Sequence, residues 1–190
     1  SKKGVICLKA TGIVRRIDDL GRVVIPKEIR RTMRLREGAS LEIYTDKDGE
    51  VIFKKYSPIG EFSEDVMIYC ETVHKATGNT VAVVDKDTVI AAAGSYKREL
   101  MNKKISKALE DVINARTPYV YKIGDKRIEI VSRQESDVDC YAGIVFPISV
   151  EGDIIGAMIM LINDTGAEPS EVDTKLISTA AQLLSRQMES

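Results

Sequence analysis

Eight cationic side chains crowd the segment from Arg15 to Arg36: Arg15, Arg16, Arg22, Lys27, Arg30, Arg31, Arg34 and Arg36, against only Asp18, Asp19 and Glu28. Their chemistry is recognition rather than catalysis. A guanidinium keeps its proton at any ordinary pH, and its planar fork can hold two acceptors at once, on a guanine edge or on phosphate oxygens. Counted from Lys27 at about 100° per residue, Lys27, Arg30, Arg31 and Arg34 share one arc of a helix, with Ile29 and Met33 nearly opposite. One side can bury while the other faces a polyanion. The remaining reactive types do not combine. Asp18 and Asp19 lie at a strand end and read as turn and salt-bridge residues rather than metal ligands. Glu28 is expected to pair with a basic residue of its own helix. His74, the single histidine, has no Ser or Cys with a supporting acid in recognisable relation to it. It is expected to be solvated or to cap the end of its helix. Cys7, Cys70 and Cys140 are spaced too widely for a metal motif or a disulfide framework and read as reduced thiols, Cys140 semi-buried. No nucleophile–base pair and no phosphate-binding glycine loop appears, so neither enzymatic activity nor a metal or cofactor is expected.

The elements that must position the arginines are explicit in the sequence. Ile13 to Ile17 reads as a strand, closed by Asp18-Asp19 before a turn at Gly21. Val23-Val24-Ile25 is a second, short strand-like run, and Pro26 stands where a helix would start. That helix is expected to stop near Glu37-Gly38, with Gly38 as its terminator. Leu41, Ile43 and Thr45 then alternate with Glu42 and Tyr44 as in a half-buried strand. Asp48-Gly49 signals a hairpin turn, and Val51 to Lys55 returns.

From Lys9 to about Pro58, this segment resembles the N-terminal DNA-binding domain of the SpoVT/AbrB family of transition-state regulators. The resemblance rests on the run Leu20-Gly21-Arg22-Val23-Val24-Ile25-Pro26 followed by Arg30-Arg31. It implies a mainly-β, swapped-hairpin homodimer that binds double-stranded DNA. Arg15, Arg22, Arg30 and Arg31 match the arginines that contact DNA in the family, and Lys9 and Arg16 are helpers on phosphate. Family members tolerate varied sequences, so DNA shape and flexibility are expected to matter beside base edges. Residues 1–8 precede the family pattern and read as an extension or cloning remnant without a role.

Charge separates this head from the rest of the chain. Residues 1–56 carry 14 Lys and Arg against 8 Asp and Glu, a net of +6, and residues 57–190 carry 14 against 21, a net of −7. The total of −1 hides a basic head on an acidic body. The head alone meets nucleic acid readily. Some 45 residues with few large apolar side chains bury too little core by themselves, which also favours an interleaved dimer. No apolar run reaches the roughly 18 residues of a membrane span and no signal-peptide pattern appears, so a cytoplasmic protein is expected, with no membrane partner. The resemblance further places it on the forespore nucleoid.

The organisation expected is therefore 9–56 as the DNA-binding domain, 57–61 as a linker and 62–190 as a second domain. In the latter, Phe62, Val66, Tyr69 and Val73 line one face of a helix, and Val172, Leu176, Ala180, Leu183 and Leu184 line another that starts near a Ser170 cap. Between them lie strands at 80–84, 88–92, 127–131, 143–150 and 154–161, a turn at Gly152-Asp153, and a helical region over 96–115. Helices at both ends of an antiparallel sheet make an α+β sandwich, and the resemblance makes it GAF-like. Two uses stand side by side. In one, the body encloses an unidentified small-molecule effector, although the Asn-Lys-Phe-Asp-Glu pattern of cyclic-nucleotide-binding members is absent. In the other, it only associates through its end helices, as a four-helix bundle that joins two head dimers into a homotetramer. The reading reached is a transcription regulator, which the resemblance implies is an activator and repressor of the sporulation programme. The alternative is an antitoxin-like DNA-binding protein whose C-terminal part binds a protein partner.

Overall fold

The computed structural model describes residues 11–189. They divide into two compact units between Tyr56 and Ser57. In the first, a short helix α1 (Lys27–Thr32) precedes the antiparallel pair β1 (Leu41–Thr45) and β2 (Val51–Lys55). The hairpin at Asp48-Gly49 is present. The Asp46 carboxylate accepts the backbone N–H groups of Asp48 and Glu50 at 3.0 and 2.9 Å, and Gly49 takes the positive φ of 86° that the turn requires.

Three expectations for this unit are corrected. Residues 13–17 and 23–25 are not strands here: each lacks regular secondary structure and a ladder partner. A strand exists only by pairing, and a single protomer offers these segments no partner. The helix ends at Thr32, well before Gly38. Leu35 N–H reaches back to the Arg30 carbonyl at 2.7 Å and Arg34 N–H to that of Arg31 at 3.3 Å, a Schellman closure with Arg34 in the left-handed position at φ 53°. The alternating strand face is not buried either, since Ile43 and Phe53, paired across the hairpin, are both exposed.

The second unit carries helices α2 (Pro58–Glu61) and α3 (Ser63–Thr77), then strands β3 (Val81–Asp85) and β4 (Val89–Ala93). Helices α4 (Lys97–Leu100) and α5 (Lys107–Asn114), strands β5 (Tyr119–Val120), β6 (Ala142–Val150) and β7 (Asp153–Leu161), and helix α6 (Glu171–Glu189) complete it. The sheet is antiparallel throughout, in the order β4-β3-β7-β6-β5. Both its faces are buried, which is why its strands read as nearly continuous apolar runs. Val81, Val83, Ile144, Met158 and Met160 pack with Ile59, Val66, Cys70, Val73, Ile177 and Leu184 of α2, α3 and α6. The alternate residues Ala82, Val84, Val145, Ile159 and Leu161 pack with Leu100, Ile105, Leu109, Ile113 and Ile130 on the other side.

Capping chemistry sets the helix ends. Ser170 Oγ accepts the Asp173 N–H at 3.0 Å while the Asp173 carboxylate accepts the Ser170 N–H at 3.1 Å, a reciprocal box at the start of α6. The expected linker is instead part of the body. Ser57 caps α2, its hydroxyl donates to Asp85 at 2.8 Å, and Ile59 is wholly buried. Residues 127–131 form no named strand, only isolated bridges, Ile105 with Val131 and Glu129 with Tyr141, because their neighbours are loop segments. The helical region at 96–115 is broken into α4 and α5 around Asn102 at φ 61°.

Candidate nucleic-acid interface

The candidate basic residues lie on a turn, an irregular segment and one short helix. Arg15 and Arg16 lie on the irregular segment before the turn, and Arg15 Nη1 donates to its neighbour Val14's carbonyl at 3.1 Å. On α1, Lys27, Arg30 and Arg31 are exposed and Ile29 is half-buried, whereas Pro26, just before the helix, is buried. The one-sided helix is only partly present and shorter than expected: Ile29 is half-buried, Met33 is exposed, no residue of α1 is fully buried, and Arg34 belongs to its closing turn rather than to its arc. Arg30 and Arg31 occupy the last turn, where the negative end of the helix dipole favours cations. Lys9 lies outside the described residues.

Arg22 is held by a neighbouring acid. Asp18 Oδ1 accepts the backbone N–H groups of Leu20 and Arg22 at 3.0 and 2.8 Å, while Oδ2 accepts Arg22 Nε at 2.8 Å. Asp18 N–H donates to the Arg22 carbonyl and Gly21 N–H to that of Asp18, both at 3.0 Å. The Arg22 backbone N–H, and after it the Arg22 side chain, hold the Asp18 carboxyl below the usual carboxylate range. The turn and salt-bridge roles expected of this pair therefore belong to Asp18. Glu28 makes no ion pair among the described residues, and its carbonyl accepts the Thr32 hydroxyl at 2.9 Å. The salt-bridge role was legible in the sequence but its partner was not, although the spacing Asp-x-x-x-Arg around a Gly turn is a local signal that points to Arg22.

Outside the head, the reactive residue types are tied into structure. His74 Nδ1 lies 2.8 Å from the Asn79 carbonyl and the His74 carbonyl accepts the Gly78 N–H, so this residue helps close α3. Cys70 and Cys140 are buried free thiols. Among the described residues no group of His, Cys, Asp and Glu could hold a metal ion, and no helix is long and apolar enough to cross a membrane.

Residues 59–189 match the family described as stage V sporulation protein T C-terminal, transcription factor. Residues 14–60 match the one described as antidote-toxin recognition MazE, bacterial antitoxin. The stage V sporulation protein T of Bacillus subtilis (strain 168) is 47% identical over 182 residues, which span 96% of this chain and 99% of that protein. The transition state regulatory protein AbrB of the same organism is 53% identical over 64 residues, 30% of this chain and 66% of that protein. Among solved structures, the second GAF domain of DevS from Mycobacterium smegmatis aligns with a TM-score of 0.50 at 10% identity, covering 68% of this chain and 93% of that one. A type II free methionine-R-sulfoxide reductase from Thermoplasma acidophilum aligns with a TM-score of 0.51 at 14% identity, covering 68% and 94%. At such identities the likeness concerns fold alone. The architecture is an AbrB-type N-terminal part followed by a GAF-like α+β part.

Proposed function

This chain belongs to the stage V sporulation protein T family of transcription factors, and on that premise we propose that Arg15, Arg22, Arg30 and Arg31 grip double-stranded DNA, with Lys9 and Arg16 helping on phosphate. The regulator so formed activates and represses genes of the sporulation programme in the forespore. The observation that carries this reading is the exposure of Arg15, Arg16, Arg22, Lys27, Arg30 and Arg31 within a unit of net charge +6, on a chain whose remainder is acidic. Cations concentrated on one small unit steer it onto phosphate and release counterions there. Duplex binding followed by fluorescence anisotropy across a salt series tests it. Affinity that falls steeply with salt, and falls further on Arg30→Ala, supports it; salt-insensitive binding that Arg30→Ala leaves unchanged contradicts it.

The head acts as a dimer. Val14 is 84% exposed, and Ile17, Leu20 and Val24 are each 70% exposed, on segments that lack ladder partners. A second copy supplying strands to a shared barrel would cover them and pair their backbones. In the body, α3 and α6 leave Ile68, Val172 and Leu183 exposed. These suit association of the end helices into a four-helix bundle, joining two dimers as a tetramer and adding avidity without new DNA contacts. An effector in the GAF-like part would act by shifting that association.

A second reading is toxin neutralisation, favoured by the antitoxin match of residues 14–60. In it the C-terminal part would serve as the toxin-binding tail. Residues 57–190 instead carry two core layers around a five-stranded sheet. A toxin retained through purification by residues 57–190 would restore this reading.

A further inference from the structure

Among the described residues, Arg22 is the one arginine of the proposed DNA-contacting set whose side chain is pinned by an acid, and the acid that pins it also builds its turn. Asp18 divides its carboxylate between two jobs. Oδ1 closes the turn by accepting the Leu20 and Arg22 backbone N–H groups, and Oδ2 accepts Arg22 Nε at 2.8 Å. The ion pair is half open to solvent, with Arg22 69% and Asp18 36% exposed at the side chain. Nε is the inner donor of the guanidinium. With it engaged, one edge of the guanidinium is committed to the carboxylate, and the Nη donors have no protein partner among the described residues.

We infer that Asp18 is a positioning residue for DNA recognition, holding Arg22 so that its outer fork meets the duplex already oriented. The inference rests on the DNA-binding reading proposed for the head. It also runs against simple electrostatics, which makes it testable by sign. A carboxylate beside a phosphate-binding arginine repels DNA, so charge alone says that removing it tightens binding and steepens the salt dependence. Positioning says the reverse. A free arginine must be immobilised at the interface, and the lost ordering amounts to a weakening on the order of tenfold.

The experiment uses the full chain and a fluorescein-labelled A·T-rich duplex, with Asp18→Asn made alone and together with Arg22→Ala. Asparagine keeps the side-chain oxygen that closes the turn and removes the charge that binds Nε. Asp18→Ala, which removes both, is the second variant, and circular dichroism with thermal melting confirms that each remains folded. The expected result is that Asp18→Asn weakens binding about tenfold and flattens the salt slope, and does neither once Arg22 is already alanine. Binding by Asp18→Asn as tight as or tighter than the unsubstituted chain would overturn the inference and make Asp18 only a repelling surface charge. Equal losses with and without Arg22 would also overturn it, since the acid would then act on the fold of the head. Failure of the folded, unsubstituted chain to bind duplex would refute the DNA reading itself, and the inference with it.

Discussion

A guanidinium on a surface is worth little until something anionic arrives, so the arginines of the head divide by what holds them. Arg22 is tied to Asp18, whereas Arg30 and Arg31 stand at the last turn of α1 with their carbonyls engaged in the Schellman closure. Arg30→Ala is therefore expected to weaken duplex binding by about 1–3 kcal/mol, lower the salt slope by about one, and leave the thermal midpoint in place. A titration beside a melting curve checks both halves. At the same scale the thiols are expected to be inert. Burial pushes the Cys70 thiol up to about 12 and the Cys140 thiol up to about 11. The thiolate is the reactive form, so in a Cys7→Ser variant these two should label with iodoacetamide only as fast as the body opens. The sign with pH comes from the same shifts. Both folded values lie above the unfolded thiol's value of about 8.5, so the stabilisation is complete below that pH and is lost as pH rises through the folded values. Rapid labelling of the folded variant at pH 8 would contradict the burial of both thiols.

The elements legible in the sequence were those whose signals are local. The Asp48-Gly49 hairpin, the Ser170 cap and the apolar seam Val66, Val73 of α3 all arise from residues within a few positions of one another, and all are present. The segments that were misread depend on partners far away or on another molecule. Residues 57–61 look like a linker because Ser-Pro-Ile-Gly is turn-forming, yet Ile59 is buried against strands met only after α3. The strand at residues 127–131 failed because its backbone finds only isolated bridges, although Ile130 and Val131 are buried in the core. In the candidate site, residue types could be read directly, but the hold of Asp18 on Arg22 is a matter of three-dimensional closure. The buried place of α2 makes two substitutions informative. Ile59→Ala should destabilise the body by about 2–5 kcal/mol, since it empties a wholly buried site. Gly156 on β7 lies under the same contact, and a Cβ there would overlap the Val84 carbonyl oxygen and crowd Ile59. Gly156→Ala is accordingly expected to cost about 1–3 kcal/mol or more by overpacking. Denaturant unfolding measures both, and near-wild-type midpoints would mean that α2 is a tether after all.

Across the whole molecule, the basic head and the acidic body call for separate explanations of what they meet. The head leaves Val14, Ile17, Leu20 and Val24 exposed and the body Ile68, Val172 and Leu183, and on the reading proposed above a second copy covers them. If association supplies that cover, the thermal midpoint rises with protein concentration by mass action. Leu183→Glu should then lower the mass in sedimentation by one level of assembly and weaken DNA binding through lost avidity rather than lost contacts. A midpoint independent of concentration would leave the exposed residues unexplained. Binding of duplex DNA by the arginine face of the head is tested most directly by anisotropy over a salt series, on the full chain and on its Arg22, Arg30 and Arg31 triple alanine variant. The expected result is steep salt dependence for the unsubstituted chain and loss of nearly all affinity for the triple variant, both folded to the same degree. Undiminished binding by that folded variant would place the interface elsewhere on the chain.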